Sequence, residues 1–211
     1  MTNIIKITYW GMAGCGKTTI VDTLYKITEE DEDKELKPKS PLVKVDRKDT
    51  GATLYYDRGF FYSRTNDQML FNVVTVAGQK AFAPLRKKVY QNTTGCIFVV
   101  DAQSHLLDEN IEYLRELKTV SQGTLIEDVP LIIMLNKQDL SDVIKKEKFE
   151  QILKDENLWY GPDNALSAWN PMIYETCALY NQRKDIYRSF NEVIRRINLY
   201  RTLGNGKAPI D

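Results

Sequence analysis

Residues Gly11 to Thr18 read Gly-Met-Ala-Gly-Cys-Gly-Lys-Thr, directly after the apolar run Ile4 to Trp10 and directly before Thr19-Ile20-Val21. A GxxxxGKT pattern set between a strand pattern and a helix pattern constrains the fold more than any other stretch of the chain. Its glycines let the backbone curl so that successive N–H groups point at one centre. A helix starting near Lys17 aims its partly positive end at the same place. Such a centre takes phosphate. Lys17 can reach β- and γ-phosphate oxygens as a mobile point charge, and the Thr18 hydroxyl can sit on a Mg²⁺ that bridges them. A glycine-rich turn ending by chance in Lys-Thr would lack the strand and helix that flank this one.

Composition then excludes several classes. At 211 residues, 43% hydrophobic and 27% charged, the chain suffices for one well-packed domain and is short for two. One domain over 1–202 is expected, followed by a short flexible tail over 203–211. Lys+Arg and Asp+Glu are equal at 29 each, so no net field draws the chain to nucleic acid or to an anionic membrane. Cys15, Cys96 and Cys177 lack the paired spacing of a disulfide or zinc site, which fits a reducing, cytoplasmic setting. No apolar run approaches the roughly 20 residues of a membrane helix. The start Met-Thr-Asn-Ile reads as no secretory signal, Thr2 excludes N-myristoylation, and the end Ala-Pro-Ile-Asp lacks a prenylation cysteine.

Along the chain, strand and helix patterns alternate. Ile4 to Tyr9 reads as a strand and Lys17 to about Thr28 as a helix, with Ile20, Leu24 and Ile27 on one stripe. The acids Glu29 to Asp33 oppose the macrodipole at a helix end, so a solvated turn is expected there. Asp33 to Ala52, with Pro38, Pro41 and Gly51, shows no sustained period and reads as a long functional loop. Thr53 to Asp57 and Met69 to Ala77 read as antiparallel strands, with a bend at Arg58-Gly59 and a polar span from Ser63 to Gln68. Leu85 to Tyr90 is helix-like, with Arg86, Lys87 and Lys88 expected on a solvated face. Gly95 to Ala102, Pro130 to Leu135 and Met172 to Thr176 are short apolar strands. Leu107, Ile111, Leu114 and Leu117 have helical spacing, as do Phe149, Ile152 and Leu153, and the final helix, about Arg183 to Tyr200, carries Ile186, Phe190, Val193, Ile197 and Tyr200. Trp159, Tyr160 and Trp169 either pack over a helix or form a partner surface. The whole predicts an α/β doubly wound, mostly parallel sheet of about six strands, one of them antiparallel, with helices on both faces and a ligand at the strands' carboxyl ends.

Four segments fall at those ends in order: GMAGCGKT, TVAGQ, NKQD and ETCAL. Together they resemble the guanine-nucleotide boxes of Ras-like small GTPases, a P-loop NTPase group, over nearly the whole chain. Gly-Lys-Thr-Thr, Thr-Leu-Tyr-Tyr-Asp and Thr-Val-Ala-Gly-Gln look most like the prokaryotic MglA-type proteins, with the Arf group a more distant likeness. The resemblance implies a GTP/GDP site made by Gly11, Met12, Ala13, Gly14, Cys15, Gly16, Lys17, Thr18 and Thr19, completed by Thr53 and Gly78. Asp139 would accept from guanine N1–H and the 2-amino group, and Asn136 would tie the base loop to the phosphate loop. Lys137 would cover a face of the base. Cys177, Ala178 and Leu179 would form the last base contact, with the Ala178 N–H reaching O6.

The same resemblance implies Mg²⁺ held by Thr18 and Thr53, with Thr50 the competitor for the latter role, and Gln79 as the residue that positions the attacking water. Thr75 stands where the wider family has Asp, so weaker Mg²⁺ retention is expected. MglA-type proteins place an arginine before the switch threonine, where this chain has Ala52; Arg47 or Arg58 would substitute only if the loop folds inward. Ala13 replaces a glycine that leaves room for a partner's arginine. The implied activity is a slow GTP-hydrolysing switch with effectors and an activating protein, of roadblock type by analogy with MglA. A GTP-bound scaffold with negligible turnover and a P-loop kinase are the alternatives.

Overall fold

The computed structural model describes residues 3–43, 58–65 and 68–210. Among the described residues seven strands form one sheet: β1 (Asn3–Trp10), β2 (Leu36–Pro38), β3 (Arg58–Ser63), β4 (Met69–Thr75), β5 (Gly95–Asp101), β6 (Leu131–Asn136) and β7 (Met172–Glu175). Among the described residues five α-helices accompany it: α1 (Lys17–Glu30), α2 (Ala83–Tyr90), α3 (Leu107–Ser121), α4 (Lys146–Asp155) and α5 (Ile186–Leu203). The strand order is β2-β3-β4-β1-β5-β6-β7, with β1 parallel to β4 and β5, and β5, β6 and β7 parallel in turn. Only β3 runs against its neighbours, β2 and β4. The carboxyl ends of β1, β4, β5, β6 and β7 therefore open on one edge, where a doubly wound sheet binds its ligand.

The strands form where their residues can be buried on both faces. β5 and β6 are buried throughout, as Val-, Ile- and Leu-rich parallel strands between helices must be. Ile20, Leu24 and Ile27 bury the inner stripe of α1, and Ile186, Phe190, Val193, Ile197 and Tyr200 that of α5. Phe190 meets Phe61 and Phe71 at ring-centroid distances of 6.1 and 6.5 Å, so the start of α5 reaches β3 and β4, while Val193 and Ile197 farther along lie against Gly95 of β5. On another helix, Phe149 of α4 stacks on Phe98 of β5 at 6.4 Å. Three buried free thiols, Cys15, Cys96 and Cys177, add to this interior.

Several local expectations need correction. The strand expected at Thr53 to Asp57 lies outside the described residues, and the strand observed before β4 is Arg58–Ser63, where a bend and a polar span were expected. Its alternation is clear once placed: Gly59, Phe61 and Ser63 are buried while Arg58, Phe60 and Tyr62 are partly exposed. The seventh strand, β2, is only three residues long, too short for a period to show. α1 runs two residues past the expected end, and Asp31 then leaves the helix in extended geometry, paired to Lys34 at 2.7 Å.

The segment expected as a flexible tail is instead docked. The Gly204 and Gly206 N–H groups both donate to Tyr200 O, at 3.1 and 2.8 Å, which turns the chain back. Ala208 is buried and donates its N–H to Glu127 O at 2.6 Å, while Trp169 Nε1 donates to Pro209 O at 2.8 Å. Trp169 also stacks edge-on against Tyr200 at 5.0 Å, so this aromatic packs over α5. No helix among the described residues is long and apolar enough to cross a membrane.

Candidate functional site

The loop between β1 and α1 forms the floor of a cavity of about 270 Å³, lined by Ala13, Gly14, Gly16, Lys17, Thr18, Thr19, Thr75, Val76, Gly78 and Gln79. No side chain caps α1; its first position is preceded by Gly16 at φ 101°, in the left-handed region. A side chain at Gly16 would collide with the Asn136 amide. Glycine is required there by both its dihedral and its neighbour. Lys17 is buried and folds back over the loop, its Nζ donating to Gly11 O at 2.8 Å and Met12 O at 2.7 Å. Its Nζ is also 3.5 Å from Cys15 Sγ. An ammonium parked on two carbonyls beside a helix N-terminus is a cation ready to meet phosphate oxygens.

A second loop is tied to the first by one side chain. Asn136, the last residue of β6 and 1% exposed, donates from Nδ2 to Cys15 O at 2.9 Å. Thr176 Oγ1 stands 3.4 Å from Asn136 Oδ1, and Gln138 N–H donates to Thr176 O at 3.1 Å, which joins the segment after β7 to the same unit. Lys137 adopts φ 72°, unusual for a residue with a Cβ, and such strain persists where the surroundings over-determine it. Here they include Asp101, whose carboxylate receives Lys137 Nζ at 2.6 Å. Asp139 is exposed beside this pair. Cys177 is buried behind it: desolvation pushes its thiol pKa up, and a hydrogen bond to the Asp139 carboxylate pushes the same way. Ala178 is buried and Leu179 is half exposed, with Ala178 O receiving Thr23 Oγ1 of α1 at 2.6 Å.

The third element of the cleft follows β4. Gly78 sits so close to the phosphate loop that a Cβ there would strike Ala13 N and Cα. Gln79 is exposed at the rim. Arg86, expected on a solvated face, is 2% exposed. It donates to Ala77 O and Gln79 O and pairs in bidentate fashion with Glu116 of α3. The expectation failed because a run of Arg-Lys-Lys carries no sign of which member turns inward. Lys87 and Lys88 are exposed.

Every site residue expected from the sequence, apart from Thr53, is therefore found at the carboxyl edge of the sheet. Thr53, like Thr50, Ala52 and Arg47, lies outside the described residues. Arg58 stands on β3 rather than in the cavity lining, with Nε donating to Asn72 Oδ1 at 2.9 Å and its guanidinium over Phe60 at 4.5 Å. Thr23, Asp101, Arg86 and Tyr113 support the loops and were missed. Two of them carried a signal: Thr23 is a polar residue on the apolar stripe of a helix, and Asp101 is a carboxylate ending a fully apolar strand.

Comparison with known proteins agrees with this geometry. The model of the ADP-ribosylation factor family matches residues 1–197. The mutual gliding-motility protein MglA of Myxococcus xanthus (strain DK1622) is 29% identical over 164 residues, covering 72% of this chain and 77% of MglA. A glycine-rich loop ahead of α1, a second loop tied to it through Asn136, and a family match over nearly the whole length lead to one conclusion: the chain belongs to the ADP-ribosylation factor family and is a small GTPase.

Proposed function

We propose that the chain is a guanine-nucleotide switch that binds GTP and GDP and hydrolyses GTP slowly. The observation that carries this reading is the Asn136–Cys15 hydrogen bond, because it welds the loop bearing Asp139 to the loop bearing Lys17. Phosphate and base would then be read by one rigid unit. The phosphates lie along Gly14 to Thr19, with Lys17 leaving its two carbonyls for phosphate oxygens. Asp139 accepts from guanine N1–H and the 2-amino group, the stem of Lys137 covers the base, and the Ala178 N–H reaches O6. The Met12, Gly11 and Cys15 backbone supports the loop from beneath.

The cavity offers a hard cation the oxygen donors it favours, since Thr18 and Thr75 both line it. Thr18 would hold Mg²⁺, with Thr53 as the second protein ligand. Bound there, the ion supplies positive charge to the β- and γ-phosphates. Phosphoryl transfer otherwise needs positioning and charge stabilisation more than covalent chemistry. Gln79 orients the attacking water, and the Gly78 N–H contacts the γ-phosphate, so that loss of that phosphate releases the loop. Among the described residues no arginine lines the cavity, and basal turnover on the order of 10⁻⁴ to 10⁻² per second is the expectation for such a site.

Switch function implies partners: effectors that read the loop after β4 and the segment preceding β3, and an activating protein, of roadblock type if the likeness to MglA extends so far. Three free, buried thiols suit a reducing cytoplasm. The test is calorimetry with GTP, GDP and ATP, followed by single-turnover GTP hydrolysis with Mg²⁺. Equal affinity for ATP would sink the base assignment, and tight GTP binding without phosphate release would favour the GTP-bound scaffold.

A further inference from the structure

Three consecutive carbonyls in the loop after β4 are each held by a side chain from outside the loop. Arg86 Nη1 donates to Ala77 O at 3.1 Å and to Gln79 O at 2.6 Å, and the Tyr113 hydroxyl of α3 donates to the carbonyl between them, Gly78 O. Arg86 is itself fixed. Its Nε and Nη2 reach the two carboxylate oxygens of Glu116 at 2.9 and 2.8 Å, and its guanidinium lies over the Tyr113 ring at 5.1 Å. A planar guanidinium in a fork on a carboxylate keeps its remaining donor in one direction. Tyr113 is anchored too, because its carbonyl accepts from buried Trp10 Nε1 at 3.1 Å.

The direction of these carbonyls decides the direction of the N–H groups. In a planar trans peptide the C=O of one residue and the N–H of the next point opposite ways. Ala77 O drawn toward Arg86 therefore turns the Gly78 N–H away from α2. Gly78 O drawn toward Tyr113 likewise turns the Gln79 N–H away from α3. Gly78 and Gln79 both line the cavity over the loop between β1 and α1, while Arg86 and Tyr113 do not.

We infer that Arg86, Glu116 and Tyr113 form a clamp that sets the peptide planes at Gly78 and Gln79, and that they are positioning residues for γ-phosphate contact and for the water-orienting glutamine. The inference rests on the reading of the chain as a GTP hydrolase. It assigns these residues no contact with nucleotide. Their effect reaches the substrate only through Gly78 and Gln79, so it must discriminate GTP from GDP. A merely structural ion pair would weaken both nucleotides alike.

Tyr113→Phe deletes one hydroxyl and leaves the ring and the Trp10 contact in place. Arg86→Lys keeps the charge but loses the fork. Each should lower single-turnover GTP hydrolysis about tenfold, the effect of mispositioning worth one hydrogen bond. Affinity for a non-hydrolysable GTP analogue should fall several-fold, while GDP affinity stays within about twofold, the split expected of an interaction felt only through the γ-phosphate. Glu116→Gln, which retains an acceptor for Arg86, should lie between wild type and Arg86→Lys. Wild-type hydrolysis in both Tyr113→Phe and Arg86→Lys would overturn the clamp, and so would parallel loss of GDP and GTP-analogue binding. If the wild type binds the analogue but does not hydrolyse GTP, the ratio of analogue to GDP affinity still tests the clamp. Failure of the wild type to bind either guanine nucleotide would instead reject the function on which it rests.

Discussion

The base side of the cleft and the side that follows β4 are held together by different means. On the base side the ties run between loops and from the first helix into them: Asn136 to Cys15, Thr23 to Ala178 and Lys137 to Asp101. Two of these three donors, Asn136 and Thr23, are buried. On the other side the loop of Gly78 and Gln79 makes its side-chain ties to α2 and α3, through Arg86 and Tyr113, and Gln79 itself is exposed. If the chain switches as proposed, this arrangement lets the base side hold the nucleotide while the wall after β4 responds to the γ-phosphate. Segments that switch must be able to rearrange without unfolding the rest, and the Gly78 loop is anchored from neighbouring helices, through buried Arg86 and Tyr113, rather than woven into the other loops.

The comparison breaks most visibly at its two chemical ends. Asp139→Asn replaces the acceptor for guanine with an amide, so guanine affinity should fall by about 10³ or more while xanthine nucleotides gain, because a site that must pair buried polar groups rejects a mismatched partner strongly. Competition binding with GDP and xanthosine diphosphate checks it. Gln79→Leu should do the reverse: nucleotide binding holds and single-turnover hydrolysis falls about 10² or more, since an interaction made only in the transition state has gone. If Gln79→Leu turns over at the wild-type rate, the rim glutamine has no part in catalysis.

Asn136→Ala sharpens the contrast from within the base side. It removes the donor to Cys15 O in a site where the amide is 1% exposed. An unsatisfied buried carbonyl costs about 1–3 kcal/mol. Thermal stability and affinity should fall together, for GDP and GTP equally. That pattern is opposite to the one expected of the clamp on Gly78. Thermal melts of the apo and GDP-bound protein would separate the two effects.

How much of this was legible beforehand follows from where each signal resides. The phosphate loop, the base loop and the alternation of strands and helices are local patterns, and Gly11 to Thr18, Asn136 to Asp139 and the stripes of α1 and α5 stand where those patterns placed them. β3 was missed because Phe60, Phe61 and Tyr62 alternate between sheet faces through the sheet's register rather than through their own chemistry. The tail was misread because its anchors, Glu127 O and the indole of Trp169, are distant in sequence. Arg86 looked like one basic residue among three, since only the fold brings Glu116 and the loop carbonyls to it.

A smaller effect is expected at the metal. Thr75 is buried, ends β4 and lines the phosphate cavity. A hydroxyl supplies no formal charge there. Thr75→Asp should slow EDTA-triggered nucleotide release by about three- to tenfold, because ligand charge tunes affinity for hard cations. Release at an unchanged rate would place the metal's charge balance elsewhere.

The smallest effect concerns the side of the cleft that follows β4 and the arginine of the adjacent strand β3, Arg58. Arg58 is the described arginine that the sequence offered as an in-cis stabiliser of γ-phosphate charge. Its guanidinium is already engaged: Nε donates to Asn72 Oδ1 of the neighbouring strand, and the plane stacks over Phe60. β3 and β4 pair from Arg58 opposite Val74 through Tyr62 opposite Leu70, so a swing of Arg58 toward the phosphates would have to disturb the start of that ladder. A cation stacked on an aromatic face is worth about 0.5–1 kcal/mol at an exposed site, which holds the side chain but does not hold the fold. Arg58→Ala should therefore leave single-turnover hydrolysis within about twofold of wild type, whereas loss of a true arginine finger costs about 10³ or more. A collapse of turnover in this variant would mean that β3 opens in the GTP state, and the responsive wall proposed at the Gly78 loop would then extend across the sheet edge.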